Sequence, residues 1–266
     1  EGMGRSVDFD ISDAVYRTPF VTAMRGLFYQ RSGQSIDESN SEYRRVASHL
    51  DPVEVPYGEN RSVIGGHYDA GDYNPRGHYD VVHILLLAYE TFPLKFTDGQ
   101  LDIPERGNDV PDILDEAMWG LQALLALQDN DGGVGYDAER DVFIESRSDP
   151  NFVEVAERDP WIQDTYDKHP RGTLIVAALS ANAARLYGDL GHEERSIRLL
   201  DAALRAYTWA KENGAELHRD HYAWAAAELA KTTGESIYID DFASSGYELQ
   251  GGFDDGNISR LRAALV

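Results

Sequence analysis

Residues 111–128 of the chain read PDILDEAMWGLQALLALQ. Apolar residues recur in this segment at intervals of three and four, which is the spacing of one face of an α-helix. They are Ile113, Leu114, Ala117, Met118, Leu121, Leu124 and Leu125. Asp109 or a neighbour could cap the first turn, because its side-chain oxygen can accept a hydrogen bond from a free backbone N–H. We therefore predict an amphipathic helix over 111–128.

The same spacing extends in both directions from this helix. It predicts further helices at Tyr16–Tyr29, Tyr79–Phe92, Thr173–Tyr187, His192–Asn213, Asp220–Thr233 and Ser236–Ala243. Alternation of period two suggests one strand at Val7–Ile11, and Gly132-Gly133 suggests a hairpin. A parallel α/β fold is not expected, because there is no long β-rich block. Long helices joined by alternately short and long loops favour an all-α toroid of paired helices.

Composition limits the class of protein further. The chain has 266 residues, 42% of them hydrophobic, which is typical of one large or two small globular domains. Its formal net charge is −23, so we expect no nucleic-acid partner. No apolar run approaches the 18 or so residues of a membrane span, so we expect no membrane partner. Cysteine is absent, which excludes disulfides and thiolate metal sites.

The basic residues are unevenly divided between the two types. Of 24 Lys and Arg residues only four are lysines, namely Lys95, Lys168, Lys211 and Lys231. An acidic, lysine-poor, cysteine-free chain resembles the proteins of halophiles, in which molar salt screens the self-repulsion of the folded state. The alternative is an ordinary acidic protein of a GC-rich genome, in which codon bias replaces Lys by Arg.

The long irregular segment 30–78 contains the strongest chemical motif. Residues 65–74 read GGHYDAGDYN, which places Asp69 and Asp72 three residues apart in a glycine-rich loop. Glycine permits backbone conformations that can turn both carboxylates toward one small volume. Paired carboxylates are what glycoside hydrolysis requires. The same spacing is also typical of a simple turn or of a calcium loop, so spacing alone leaves these alternatives open.

Four segments in order resemble glycoside hydrolase family 9, the inverting cellulases and related β-glycanases. They are FYQRSG at 28–33, GGHYDAGDYN at 65–74, VPDILDEAMWG at 110–120 and WAAAEL at 224–229. The resemblance runs from about Tyr16 to about Ala243. It implies an (α/α)6 barrel, in agreement with the helical pattern.

The resemblance also implies roles for individual residues. Asp72 matches the catalytic base that activates water, and Asp69 matches the carboxylate that helps to hold this water. Tyr73 and His67, in the same segment as the two aspartates, are candidate substrate-binding residues. Trp161, directly after the long loop 129–160, is a candidate for stacking against a sugar ring. The implied activity is that of a secreted endo-β-1,4-glucanase acting on β-glucan polysaccharide or oligosaccharide. Alternatives are an exo-acting β-glucosaminidase of the same family, and a truncated, non-catalytic remnant that binds carbohydrate or a partner.

Metal sites of the family are only partly matched. Where relatives hold zinc with two Cys and two His, this chain has Ser32, Ser48, His49 and Tyr68, so we expect the zinc site to be lost. His67 could substitute as a ligand. Calcium is left open near Asp220, although His221 in the second ligand position is a poor calcium ligand and an N-cap role explains Asp220 better. No cofactor is expected to be required.

The domain prediction divides the chain at residue 15. Residues 1–15 are expected to be a linker or strand from an upstream immunoglobulin-like domain, and residues 16–266 the N-terminal portion of a family 9 catalytic domain. The family's general acid has no match here, although Glu248, Asp254 and Asp255 are acids near the end of the chain. We therefore expect an incomplete toroid whose exposed apolar faces favour a homo-oligomer or a separate C-terminal half.

Several other residues have an ordinary structural explanation. Asp112, Asp115 and Glu116 lie in the first turn of a predicted helix, where capping and the helix dipole favour acids. Trp209 and Trp224 are expected in the core, although they and Tyr166 are further candidates for sugar stacking. The segment 169–173, HPRGT, leads into the predicted helix Thr173–Tyr187 and is expected to be its N-terminal cap region.

Overall fold

The computed structural model describes residues 11–12, 14–37, 39, 41, 43–47, 49–68, 79–137 and 165–246. Within these ranges the protein is all-α apart from two short strands, as the sequence predicts. The seven α-helices are α1 (Arg17–Phe28), α2 (Tyr79–Thr91), α3 (Asp112–Ala126), α4 (Pro170–Asp189), α5 (Glu193–Glu212), α6 (Arg219–Thr233) and α7 (Ser236–Ser244). Two 3₁₀ helices, Pro93–Lys95 and Ala215–His218, lie between them.

Helix α4 is the centre of the described fold. It packs against α5 and α6 and also contacts α2 and α3. Fifteen of its twenty residues are buried, so it lacks the exposed polar face of a surface helix. Many of the buried residues are alanines, whose small side chains let neighbouring helices approach closely. They are Ala177, Ala178, Ala181, Ala183 and Ala184.

Consecutive helices form pairs, as expected for a toroid. α4 and α5 are joined by residues 190–192, where Gly191 has φ +82°, and α6 and α7 are joined by Gly234 and Glu235. Gly234 ends α6 in the left-handed conformation, with its N–H bonded to Ala230 O. Such short connections keep each helix beside its successor.

The beginning of α3 differs from the capping prediction. Its N-cap residue is Pro111, and no side chain caps the helix there, so the expected cap by Asp109 is wrong. The Asp112 carboxylate instead accepts hydrogen bonds from the backbone N–H groups of Gly99 and Leu101. The first acid of the helix thus fixes the preceding loop.

The predicted hairpin at Gly132-Gly133 is present as a tight turn closed by a bridge between Gln128 and Val134. Gly132 has φ +100°, and an added Cβ would lie 2.3 Å from the Arg205 carbonyl oxygen. Only glycine allows this approach to α5. The turn leads into β1 (Gly135–Asp137), which pairs antiparallel with β2 (Thr165–Lys168).

A partly buried ion network ties the second halves of three helices together. Arg185 of α4 lies 2.8 Å from Glu90 of α2 and 2.9 Å from Glu228 of α6. Lys231 lies 2.9 Å from Glu90. Burial raises the pKa of Glu228 although Arg185 opposes this effect, whereas the two cations lower the pKa of Glu90 despite its burial. The network fixes the relative positions of α2, α4 and α6.

The predicted strand at Val7–Ile11 lies almost wholly outside the described residues, so it and the upstream domain stay predictions. Apolar side chains are exposed on α2 and α7, as an incomplete toroid would show: Ile84 is 60% exposed, Ile237 54% and Ile239 56%. In the described part of the chain, no helix is both long and apolar enough to span a membrane.

Candidate functional site

The loop that contains the paired aspartates is entered through residues 65–68. Three backbone hydrogen bonds fix this segment: Ser32 N to Gly66 O (2.9 Å), Gly66 N to Trp119 O (2.9 Å) and Tyr68 N to Gln30 O (2.7 Å). Residues 69–78 lie outside the described residues, so the roles of Asp69, Asp72 and Tyr73 stay predictions. The same holds for Trp161, which falls within 138–164.

Two glycines allow this segment to lie directly against α3. Gly65 has φ +121° and Gly66 has φ +85°, conformations that favour glycine. A Cβ on Gly65 would lie 2.5 Å from the Trp119 carbonyl oxygen. The paired glycines therefore serve the close contact with α3.

A buried network of charges lies beneath the same segment. Arg31 is fully buried and donates to both oxygens of Glu116, with Nε–Oε1 at 3.0 Å and Nη2–Oε2 at 2.9 Å. Its Nη1 reaches Glu105 at 2.9 Å. His67 completes the network, since its Nε2 lies 2.7 Å from Glu116 Oε1. The Arg31 guanidinium also lies over the Trp119 ring, 4.5 Å from its centroid.

The charges in this network are mutually stabilised. Burial alone would raise the pKa of Glu116, but the hydrogen bond from His67 and the charge of Arg31 outweigh it and hold this pKa below its usual range. Burial likewise disfavours the Arg31 cation, yet Glu116 and Glu105 raise its pKa. An ionised carboxylate can only accept, so His67 Nε2 must carry the proton in this contact.

This network corrects the sequence interpretation of the acids in α3. Capping and dipole effects do not account for Glu116, which is fully buried and pairs with residues distant in sequence. His67 is 2% exposed and faces Glu116, a position that favours a structural role. Its predicted contact with substrate stays a prediction.

The positions that match the zinc ligands of relatives contain donors that do not fit zinc. Tyr68 and His49 lie together, with Tyr68 OH 3.0 Å from His49 Nδ1, and Ser32 contributes a hydroxyl in place of a thiolate. Ser48 lies outside the described residues. Among the residues described, no three His, Cys, Asp or Glu side chains are grouped so that they could hold a metal ion. Loss of the zinc site stays a prediction.

The far end of the aspartate loop is joined to α2, and here the N-terminal ends of three helices meet. Arg171 of α4 lies 3.4 Å from Tyr79 OH of α2 and 3.4 Å from His221 Nε2 of α6. His169 and His218 stack edge to face, with ring centroids 5.0 Å apart. We call these five residues the Arg171 cluster. The sequence analysis missed it because its members come from three separate segments.

Two expectations at this end can be compared with the structure. His169 is the N-cap of α4, and its Nδ1 accepts from Arg171 N at 3.2 Å, which confirms the cap prediction. Asp220 is not an N-cap, since that position is His218, and Asp220 lies inside the first turn.

Burial first, and then the charges of Arg171 and His218, lower the pKa of His221 to about 4. A neutral His221 suits a calcium site poorly.

The aromatic candidates for sugar stacking fall into different environments. Trp224 is fully buried, which confirms its core role. Trp209 is half-buried and its Nε1 donates to Asp131 at 3.2 Å, so only its ring packs in the core. Tyr166 of β2 is 64% exposed and remains available for stacking.

The second acid of α3 predicts a pH dependence of stability. Asp115 is 6% exposed, and burial raises its pKa to about 7 although Asn108 donates to it. The folded state then binds a proton that the unfolded state releases above about pH 4, so stability falls as the pH rises from about 4 to 7. Between pH 5 and pH 8, the free energy of unfolding of Asp115→Asn should therefore fall by about 2–4 kcal/mol less than that of the parent protein.

The matched control is Asp201→Asn, since Asp201 is an exposed carboxylate beside Arg205. It should leave the pH profile of unfolding parallel to that of the parent protein. Profiles of Asp115→Asn and the parent that stay parallel from pH 4 to 8 would contradict the raised pKa of Asp115.

Consecutive helices that pack as pairs, as α4 does with α5 and α6 with α7, are typical of the class of α/α barrels. Residues 16–260 match Glycosyl hydrolase family 9. The chain belongs to this family. Solved structures of the family that resemble it are (α/α)6 barrels, so the predicted fold class is confirmed.

Individual relatives agree with this assignment. Endoglucanase D of Acetivibrio thermocellus is 30% identical over 98% of this chain and 45% of its own length. The xyloglucan-specific endo-beta-1,4-glucanase BoGH9A of Bacteroides ovatus is 28% identical over 90% of this chain and 46% of its own length. The crystal structure of a metagenome-derived family 9 endoglucanase superimposes with a TM-score of 0.76 at 29% identity, over 94% of this chain and 49% of that one. The chain thus spans about half the length of these relatives.

Proposed function

We propose that this chain provides the water-activating part of an endo-β-1,4-glucanase that cleaves with inversion. Family membership carries the proposal, together with the aspartate loop of residues 69–72. Curated relatives over nearly the whole chain are named endoglucanases. The substrate class is therefore a β-1,4-linked glucan, either polysaccharide or oligosaccharide.

The chemistry assigned to the loop is a single displacement. Asp72 removes a proton from a water molecule while the oxygen of that water attacks the anomeric carbon, and Asp69 holds the water by a hydrogen bond. A carboxylic acid on the opposite face of the sugar protonates the leaving oxygen. In inverting enzymes the two carboxyl groups lie about 6.5–9.5 Å apart, which leaves room for the water. Glu248, Asp254, Asp255 or a carboxyl group outside residues 1–266 would supply this acid.

The sugar-contacting residues and the location are part of the same proposal. Tyr73 and Trp161 would contact the glucan near the cleavage point, and the exposed ring of Tyr166 offers a further stacking surface. A polysaccharide substrate suits a secreted enzyme. The charge of −23 suits a halophilic setting, in which salt screens repulsion within the fold.

The test is the stereochemistry of hydrolysis. The chain is incubated with cellohexaose in molar KCl, and the new reducing ends are followed by proton NMR before they mutarotate. Inversion at a β-linkage releases α-anomers first, and this is the expected result. Initial release of β-anomers would contradict the proposal. Shortening from one end only, with a glucosamine oligosaccharide cleaved faster than cellohexaose, would favour the exo-β-glucosaminidase.

The non-catalytic alternative is favoured by one observation, the exposed apolar side chains Ile84, Ile237 and Ile239 on α2 and α7. A second copy of the chain would cover such faces. A folded chain that binds cellohexaose in calorimetry but releases no sugar in molar KCl would support this alternative. Sedimentation velocity on the same sample would show whether the chain is a monomer.

A further inference from the structure

We propose that Arg31, Glu116 and His67 act as positioning residues that fix the entry to the aspartate loop, an inference that rests on the proposed function. We call these three residues the entry triad. They touch neither water nor sugar in the proposed reaction. They act through Asp69 and Asp72 by fixing the backbone immediately before them.

Only one peptide bond separates the last fixed residue from the first aspartate. The backbone is held as far as Tyr68, whose N–H donates to Gln30 O at 2.7 Å, and Arg31 and His67 form an antiparallel bridge. Asp69 follows Tyr68 directly in the sequence. A shift of the backbone at His67 would therefore displace the residue to which Asp69 is attached.

The segment before the aspartates is restrained from two directions. Backbone hydrogen bonds hold the segment along its edge, whereas the His67 side chain holds it from below through Glu116, 2.7 Å away. Glu116 is itself fixed by two parallel hydrogen bonds from Arg31. Such a fork restrains both the position and the plane of a carboxylate. The triad therefore links Arg31, which follows the end of α1, to His67 at the loop entry and to Glu116 of α3.

The His67 ring contributes one hydrogen-bond donor to Glu116. Arg31 donates to both oxygens of this buried carboxylate, and His67 Nε2 adds a second donor at Oε1. The other ring nitrogen, Nδ1, is buried and has no hydrogen-bond partner among the described residues. Only the donor at Nε2 is used. A side chain that keeps a donor at this reach should therefore preserve the function of His67.

The experiment compares three variants in the cellohexaose assay. His67→Gln keeps an N–H donor near the position of Nε2, whereas His67→Phe removes it. His83→Phe is the control, since His83 is 6% exposed on α2 and its ring packs against that of Trp224, with the centroids 4.8 Å apart. Small displacements of catalytic groups can cost about 100-fold in rate. We expect His67→Phe to lower kcat about 10- to 100-fold with little change in KM, and His67→Gln to restore most of it.

His83→Phe should lower the melting temperature as His67→Phe does, but it should leave kcat close to that of the parent protein. Equal kcat values for His67→Phe and His83→Phe would overturn the proposal, because burial alone would then explain His67. So would a His67→Gln variant as impaired as His67→Phe.

Amide hydrogen exchange distinguishes a failure of the positioning role from a failure of the proposed function. The Tyr68 amide should exchange at least about tenfold faster in His67→Phe than in the parent, and His67→Gln should restore its protection. If the parent protein does not hydrolyse cellohexaose, the proposed function fails, and the exchange result still decides whether the triad fixes the loop entry. Unchanged protection of Tyr68 in His67→Phe would overturn the positioning role.

Discussion

Replacing Asp72 by asparagine is expected to lower the turnover of β-1,4-glucan about 10²–10⁴-fold, with KM little changed. An amide cannot accept a proton from the attacking water, and general-base catalysis contributes about this factor. The amide has nearly the same shape as the carboxylate, so folding should be unaffected. The measurement is reducing-sugar release from soluble cellulose in molar KCl, with the melting temperature recorded for both proteins.

Two controls define the meaning of this loss. Asp201→Asn makes the same change at an exposed carboxylate of α5 and should retain full activity. Azide needs no deprotonation to attack, so it should restore formation of an α-glycosyl azide in Asp72→Asn. Retention of more than about a tenth of the activity would contradict the role of Asp72 as base. Activity of the parent chain would also show that an acid such as Glu248 or Asp254 is supplied without another polypeptide.

Replacing Arg31 by methionine is expected to lower the free energy of unfolding by about 3–5 kcal/mol. The change leaves Glu116 buried with an uncompensated charge, and removal of one partner from a buried ion pair costs about this much. Glu105 also loses its nearest cation, although it is partly exposed and contributes less. Urea denaturation in molar KCl, where long-range repulsion is screened, measures the difference.

The matched control is Arg198→Met, since Arg198 pairs with Glu194 on the surface of α5 and both side chains are well exposed. Its effect should stay below about 1 kcal/mol. The double variant Arg31→Met with Glu116→Gln should be less destabilised than Arg31→Met alone, because no charge remains buried. A loss below about 1 kcal/mol for Arg31→Met would show that Glu116 is neutral or hydrated in the folded protein.

The helices could be predicted from the sequence because their signal is local. Apolar spacing and the neighbouring Pro and Gly residues placed α3 and α5 within about two residues of their observed ends. The largest boundary error is at α4, which begins at Pro170 rather than Thr173. Proline is tolerated in a first helical turn, so the helix extends through the residues that the prediction left out.

Interactions between distant segments could not be predicted in this way. The partners of Glu116 are 85 and 49 residues away, at Arg31 and His67. The Arg171 cluster joins α2, α4 and α6 over spans of 50 and 92 residues. No local pattern encodes such a contact, because it depends on how the helices pack around α4.

The sequence by itself determined the helical class, the family and the paired aspartates of 65–74, since each rests on a short pattern of residue types. The tertiary structure decided what surrounds the aspartate loop. It buried His67 against Glu116, and it used the Asp112 carboxylate to fix a loop rather than to cap a helix. The physical reason is burial: once packing removes water from a charged side chain, that side chain must find its partners wherever the fold provides them.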